Sequence, residues 1–360
     1  MATLLKDLYN KKYVELLANS LQALDKTFSS KQFYADVFDT FWKEKELKAR
    51  MTHLALCLHK NLTENYVQNI EILTATFAQM NYAYSLENML FSTYVGIYGK
   101  NDFKLSMQAL QAFTINSSSE FAIREFLLLY EKETLKEIQK WVSHENEHIR
   151  RLASEGCRPR LPWALSLPNF KKDPTPILEI LEALKNDTSP YVRKSVANAL
   201  NDISKDNPEI TLLIAKRWLQ EEVNESLIKH GCRTLLKSSN TDALSLFGYR
   251  AKQSLILTEL IFASEVQMGQ DLEFSFKLSD NHTLGHLRIE FALHLLRKNG
   301  NYNTKVFQIA QKEYNTQSIE LKKSYSFKKI TTRNYYTGEQ AISIIVNGLV
   351  LTKFFFTLHD

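Results

Sequence analysis

The sequence predicts a mainly α-helical protein, its helices stacked in pairs as a curved solenoid, followed by a small β-sandwich. Three observations carry this expectation. Apolar residues recur at helical spacing from the N-terminus to about residue 240. A polar residue followed by an apolar–basic pair repeats at an interval typical of helix-pair arrays. Beyond about residue 252 the pattern changes to strand alternation. The 360 residues are enough for one or two domains with buried cores, and the change of character sets expected domains at 1–245 and 252–360.

The elements follow in order. Tyr13, Leu16, Leu17, Leu21 and Leu24 share one helix face, as do Phe33, Val37, Phe38 and Phe41, and then Val67, Ile70, Leu73, Thr74 and Phe77. His144 stands five residues before Ile149-Arg150, and Asp187 stands five before Val192-Arg193. Glu222 stands five before Leu227 in a degenerate third copy, so the offsets are 43 and then 35 residues. That period is the HEAT pattern, and such pairs line a concave binding face. Ser189 fits a cap and Pro190 the first helical position of the cleanest copy. Trp141 and Trp218 occupy equivalent-looking helix positions and are expected in the core. Ser238 to Asp242 reads as a linker. Leu272–Leu278 and Leu287–Leu293 alternate as strands, and Asn299-Gly300 and Asn347-Gly348 fit hairpin turns. Thr304 to Tyr314 is compatible with a strand or a helix.

Composition narrows the function classes. An apolar fraction of 44% and a charged fraction of 24% are ordinary for a globular protein. No run reaches the roughly 18 apolar residues of a membrane span, and the N-terminus meets charge before any apolar stretch of signal-peptide length. A cytoplasmic protein with no membrane partner is expected. Cys57, Cys157 and Cys232 are too scattered for a disulfide framework or a zinc site, and the nine histidines lack ligand spacing. No metal and no cofactor are expected. With a net charge of only +5, a nucleic-acid surface must arise from clustering.

Such clustering is present. Arg150-Arg-Leu-Ala-Ser-Glu-Gly-Cys-Arg-Pro-Arg-Leu-Pro-Trp163 holds four arginines, one carboxylate, two prolines and a tryptophan. Glu155 falls at a helix end with Gly156 as a C′ residue, where a carboxylate opposes the helix dipole. It reads either as a solvated glutamate or as part of a negative patch suited to a cation. Asp202 repeats the arrangement one repeat later. Glu120, in Ser117-Ser-Ser-Glu120, has capping-box spacing, so a structural role suffices for it. Trp163 is either core or a stacking platform presented by its rigid loop.

Both segments resemble the HEAT-repeat DNA alkylation-repair glycosylases, most closely their AlkC branch. The match runs through Ser118-Ser-Glu-Phe-Ala-Ile-Arg-Glu-Phe126 and the Arg150–Trp163 segment. The resemblance implies an immunoglobulin-like C-terminal domain and hydrolysis of the N-glycosidic bond of cationic alkylated bases, such as 3-methyladenine and 3-methylcytosine. It implies catalytic roles for Glu120 and Glu155, less directly for Asp202, and a stacking role for Trp163. With no lysine in the motif, a monofunctional enzyme is expected, acting as a monomer on double-stranded DNA. Arg150, Arg151, Arg158, Arg160, Lys194, Lys229 and Arg233 fall on or just after the second helices of the repeats, and are expected to hold phosphates. The rival reading is a non-catalytic HEAT module that binds bent or branched DNA, or a protein partner.

Overall fold

Where apolar residues recur at helical spacing, helices form. A computed structural model describes residues 4–63, 65–80, 84–330 and 334–360, and they fall into two compact units, Met1–Gly231 and Cys232–Asp360. In the first unit Tyr13, Leu17 and Leu21 are buried on the Lys11–Leu24 helix, and Ile70, Leu73 and Phe77 on the Tyr66–Gln79 helix. Caps mark the helix starts: Asn10, Ser29, Asn65, Asp102 and Asn146 each accept a backbone N–H from the first turn. Among the described residues no helix is long and apolar enough to cross a membrane.

The repeat seen in the sequence is also a repeat of hydrogen bonds. Arg150 donates to the carbonyls of His144 and Glu145 at 2.8 and 2.7 Å, and Arg193 donates to those of Asp187 and Thr188 at 2.6 and 2.9 Å. Each guanidinium closes the turn before its own helix. The Pro190–Ile203 helix packs between the Glu147–Gly156 and Glu225–Gly231 helices. Small residues permit the approach: Ser154 donates to Ser195 at 2.7 Å, and a Cβ on Gly231 would stand 2.6 Å from Leu200 Cδ2. Trp141 and Trp218 are buried, as their positions in the repeat imply, with indole N–H groups donating to Gln111 and Glu182.

The second unit is a sandwich of two sheets. Its strands are β1 (Ile256–Phe262), β2 (Glu265–Gln267), β3 (Asp271–Ser279), β4 (Gly285–Leu296), β5 (Tyr302–Tyr314), β6 (Ser318–Ser326), β7 (Gly338–Val346) and β8 (Leu349–His359). One sheet runs β1-β3-β6 and the other β2-β8-β7-β4-β5. Alternate residues meet in the core: Leu272, Phe274, Phe276 and Leu278 from β3 with Leu287, Ile289, Phe291 and Leu293 from β4. Asn347 and Gly348 turn β7 into β8 with φ of 47° and 84°, which only an Asn-Gly type of turn accepts readily. Thr304 to Tyr314 is strand, because β5 pairs with β4 along its length and helical pairing has no place there.

Two expectations about the junction are corrected. Ser238–Asp242 is not a linker: Asn240 caps the Thr241–Leu246 helix by accepting from Ala243 N–H at 2.9 Å. The helices after Gly231 belong with the strands, whereas the repeat pattern assigns them to the solenoid. The outer face of β4 explains why. Arg288 and Glu290 are buried there as an ion pair at 2.5 Å, and Tyr249 accepts from Gln311 while the Arg250 carbonyl accepts from Asn347. A buried pair of this kind needs cover from water, which residues just before the sandwich supply.

The close helix stacking makes a prediction. Gly231→Ala should cost about 1–3 kcal/mol of stability by overpacking, and Leu200→Val should relieve part of it. Urea unfolding followed by tryptophan fluorescence measures the cycle; strictly additive losses would show that the two residues do not press on one another.

Candidate active site

The segment Ser117–Phe121 does not become helix. The next helix, Ile123–Leu129, begins after Ala122 without a side-chain cap, so the capping box open to Ser117 and Glu120 is not made. Ser119 carbonyl takes the Ile123 N–H at 3.1 Å, which starts the helix too late for Glu120 to be its third residue. The Glu120 carboxylate turns instead toward the neighbouring repeat. Its Oε2 accepts from Ser118 Oγ at 2.7 Å and from Arg151 Nη1, which also donates to Ser118 Oγ at 3.0 Å.

From there a chain of alternating charge crosses three helix pairs. Arg151 lies between Glu120 and Glu155 Oε1, the latter at 3.5 Å and one helical turn away. Arg158 donates to the same Glu155 oxygen at 2.6 Å and to Asp202 Oδ2 at 2.9 Å, and Lys205 reaches Asp202 Oδ1 at 3.0 Å. Three carboxylates and two guanidiniums thus share a mostly dry strip; Glu120 keeps 15% of its side-chain surface exposed and Asp202 1%. Burial works against the charge on Arg151 and Arg158, but the carboxylates beside them outweigh it and raise both above the usual arginine range. The hydrogen bonds to Glu120 end on Oε2 and those to Glu155 on Oε1; no described residue donates to the other oxygen of either. One oxygen of each carboxylate is therefore available to a water or a sugar.

Gly156 is not a helix-ending C′ residue. It lies inside the Glu147–Gly156 helix, and a Cβ there would meet Ile123 Cγ2 at 2.7 Å, so its smallness brings the Glu155 helix against the Glu120 segment. The loop that follows is held by Arg124, fully buried and, among the described residues, without a carboxylate in ion-pair contact. Its guanidinium donates to the carbonyls of Leu165, Gly156 and Arg158 at 2.5, 3.0 and 2.7 Å, and burial pushes its pKa down to about 10. Leu167 N–H closes the loop onto Pro159 carbonyl at 3.2 Å. At its tip Trp163 has φ of +63° and 67% exposure. A left-handed backbone at a bulky residue costs about 1–3 kcal/mol, and it is spent here on an indole that packs into no core. Cys157 is buried beneath the loop, its thiol pushed up to about 12 by that burial, and is no nucleophile at neutral pH.

The expected phosphate contacts divide. Arg150 pairs with Asp187 at 2.6 Å, and Arg158 is buried between two carboxylates. In the structure both turn to protein acceptors, Arg150 to Asp187 and two backbone carbonyls, Arg158 to Glu155 and Asp202. Arg151 is likewise part of the charge chain. Arg160 forms an exposed bidentate pair with Asp206, Lys229 pairs with Glu225 at 2.7 Å, and Lys194 is exposed. Lys194 borders a groove of about 310 Å³ together with Arg193, Asn224 and His230. Arg233 begins the first helix of the second unit, half-buried.

Sequence reasoning missed an aromatic group beside Arg151. The guanidinium stands 5.2 Å from the Tyr191 ring, Tyr191 meets His148 edge-on, and His148 stacks on Tyr84 at 5.2 Å. The spacing of Tyr191 and Arg151, on facing helices of adjacent repeats, was the available signal. Among the described residues no group of three or more His, Cys, Asp or Glu could hold a metal ion.

Residues 108–225, which contain all three carboxylates of the chain of charge, match the family model described as DNA alkylation repair enzyme. Residues 258–360 match that of the C-terminal Ig-like domain of YhaZ. The chain is 40% identical over 352 residues to YhaZ of Bacillus subtilis (strain 168), covering 96% of this chain and 97% of that one. Its structure is similar to that of the alkylpurine DNA glycosylase AlkC of Pseudomonas fluorescens, solved bound to DNA containing an abasic site analog, with a TM-score of 0.94 and 34% identity over 99% of this chain and 100% of that one. The chain belongs to the DNA alkylation repair enzyme family, in the AlkC branch that carries an Ig-like C-terminal domain.

Proposed function

We propose that the chain is a monofunctional DNA glycosylase that hydrolyses the N-glycosidic bond of cationic alkylated bases, 3-methyladenine and 3-methylcytosine among them, acting as a monomer on duplex DNA in the cytoplasm. The observation that carries the reading is the alternation Glu120–Arg151–Glu155–Arg158–Asp202 across successive helix pairs. Likeness over the full chain to a solved alkylpurine glycosylase supports it.

The chemistry follows from the lesion. An alkylated base with a positive ring leaves as a neutral molecule when the C1′–N bond electrons go with it, so it needs little acid catalysis. The sugar is left with the positive charge, and fixed carboxylates lower the barrier by stabilising it. Glu120 and Glu155 each present one oxygen outside the arginine bonds. One faces the sugar cation while the other takes a proton from the water that bonds to C1′. Arg151 and Arg158 hold these carboxylates in place through their hydrogen bonds. No lysine stands between them; Lys205 lies beyond, on Asp202, which favours hydrolysis without a covalent imine and strand cleavage. Trp163 offers a stacking face worth roughly 1–3 kcal/mol per base, and Arg160, Lys194, Lys229 and Arg233 are offered to phosphates.

Three outcomes are expected. Free 3-methyladenine and 3-methylcytosine should appear when wild type meets methylated duplex DNA, and Glu120→Gln or Glu155→Gln should slow release at least ~100-fold while binding is retained. Binding to junctions with no release from either lesion would instead favour the non-catalytic module. Arg158→Met should cost about 3–5 kcal/mol by leaving Glu155 and Asp202 without their shared partner. Urea unfolding measures the loss, and a variant as stable as wild type would remove Arg158 from this role. Lys194→Gln should weaken duplex binding uniformly and reduce the salt slope by about one, and an unchanged slope would place Lys194 off the DNA.

A further inference from the structure

The arginine of the Ser118–Phe126 motif has no part in the chemistry above, yet it is among the largest fully buried side chains of the protein. Arg124 holds the backbone of the 156–165 segment at three carbonyls, and among the described residues its Nη2 has no hydrogen-bond partner. The loop has a second anchor from a distant part of the chain. Lys48, exposed on the Leu47–Asn61 helix, donates to the carbonyl of Trp163 at 2.6 Å, and its ammonium lies 5.1 Å from the ring of Phe121, the residue after Glu120. Packing alone does not hold this loop. A half-open pocket of about 250 Å³ borders Phe121, Ala122, Ala164 and Leu165, so the apolar side of the loop opens toward solvent there. The left-handed backbone at Trp163 therefore depends on polar restraint from either side.

We infer that Arg124 and Lys48 are positioning residues that act through Trp163: Arg124 fixes the root of the loop, Lys48 fixes its tip, and together they set the exposed indole relative to Glu120. The inference rests on the stacking role proposed for Trp163. Arg124 has a further consequence, since the carbonyl it takes from Arg158 belongs to the residue that ties Glu155 to Asp202. Arg124 reaches the three carbonyls from two separate nitrogens, Nε and Nη1, a spread that the single ammonium of lysine does not reproduce.

The test has two readouts on the full-length protein. The first is the motion of Trp163, taken as the difference in time-resolved fluorescence anisotropy between each protein and its Trp163→Phe counterpart; the other three tryptophans are buried. Lys48→Ala and Arg124→Lys should each raise the amplitude of fast Trp163 motion, whether or not the protein excises bases. The second is single-turnover release of 3-methyladenine from methylated duplex. Lys48→Ala should lose about tenfold, Arg124→Lys more, and Lys48→Ala combined with Trp163→Ala should be no slower than Trp163→Ala alone. Unchanged anisotropy, or losses that multiply in the double variant, would overturn the inference. Should Arg124→Lys fail to fold, Lys48→Ala at the surface decides it. A wild type that releases nothing counts against the glycosylase reading and leaves the anisotropy result to judge the clamp.

Discussion

The alternation of charge from Glu120 through Arg151, Glu155 and Arg158 to Asp202 is the interaction on which the rest of the helical unit depends. Five ionised groups in so dry a strip are each costly to bury, and each is tolerable only because its neighbours carry the opposite sign. The constraint fixes geometry. Glu120 must leave its own helix start, Gly156 must be small enough for the Glu155 helix to approach Ile123, and Asp202 must end the next repeat at the same depth. What the arrangement yields is negative charge held in place by its neighbours, the property that a developing sugar cation calls for under the proposed function.

Much of the fold is legible in the sequence because it rests on periodic patterns. The helical faces, the repeated Ile149-Arg150 and Val192-Arg193 pairs, and the alternation in β3 and β4 all follow from spacing. Local signals mislead where tertiary contacts compete. Ser117 and Glu120 have capping-box spacing, but a neighbouring arginine outbids the backbone for the carboxylate. Gly156 looks like a helix terminator, yet it serves close approach, and Ser238–Asp242 looks like a linker although Asn240 caps a helix. Residues 232–245 read as solenoid because they are helical; their place with the strands shows in contacts such as Leu244 and Ser239 against Gly348, which no periodicity announces.

The candidate site was legible as a set of residue types and not as a set of pairings. Glu120, Glu155, Asp202 and Trp163 stand out in motifs, but basic residues in a motif do not declare their acceptors. Arg150 and Arg158 do not announce the acids they face: Asp187 from the next repeat, and Asp202 from 44 residues on. Arg124 is the extreme case, since its partners are backbone carbonyls, which carry no sequence signature. The strain at Trp163 is similarly invisible until φ is known.

The central claim is that fixed carboxylates favour a positive sugar. Affinity for duplex DNA bearing a cationic pyrrolidine in place of the sugar, compared with a neutral tetrahydrofuran at the same position, tests it without depending on excision. The account predicts that wild type prefers the cation by at least about tenfold, worth about 1.4 kcal/mol, and that Glu120→Gln and Glu155→Gln lose that preference while binding the neutral analogue as before. Equal affinity of wild type for the two analogues would contradict it.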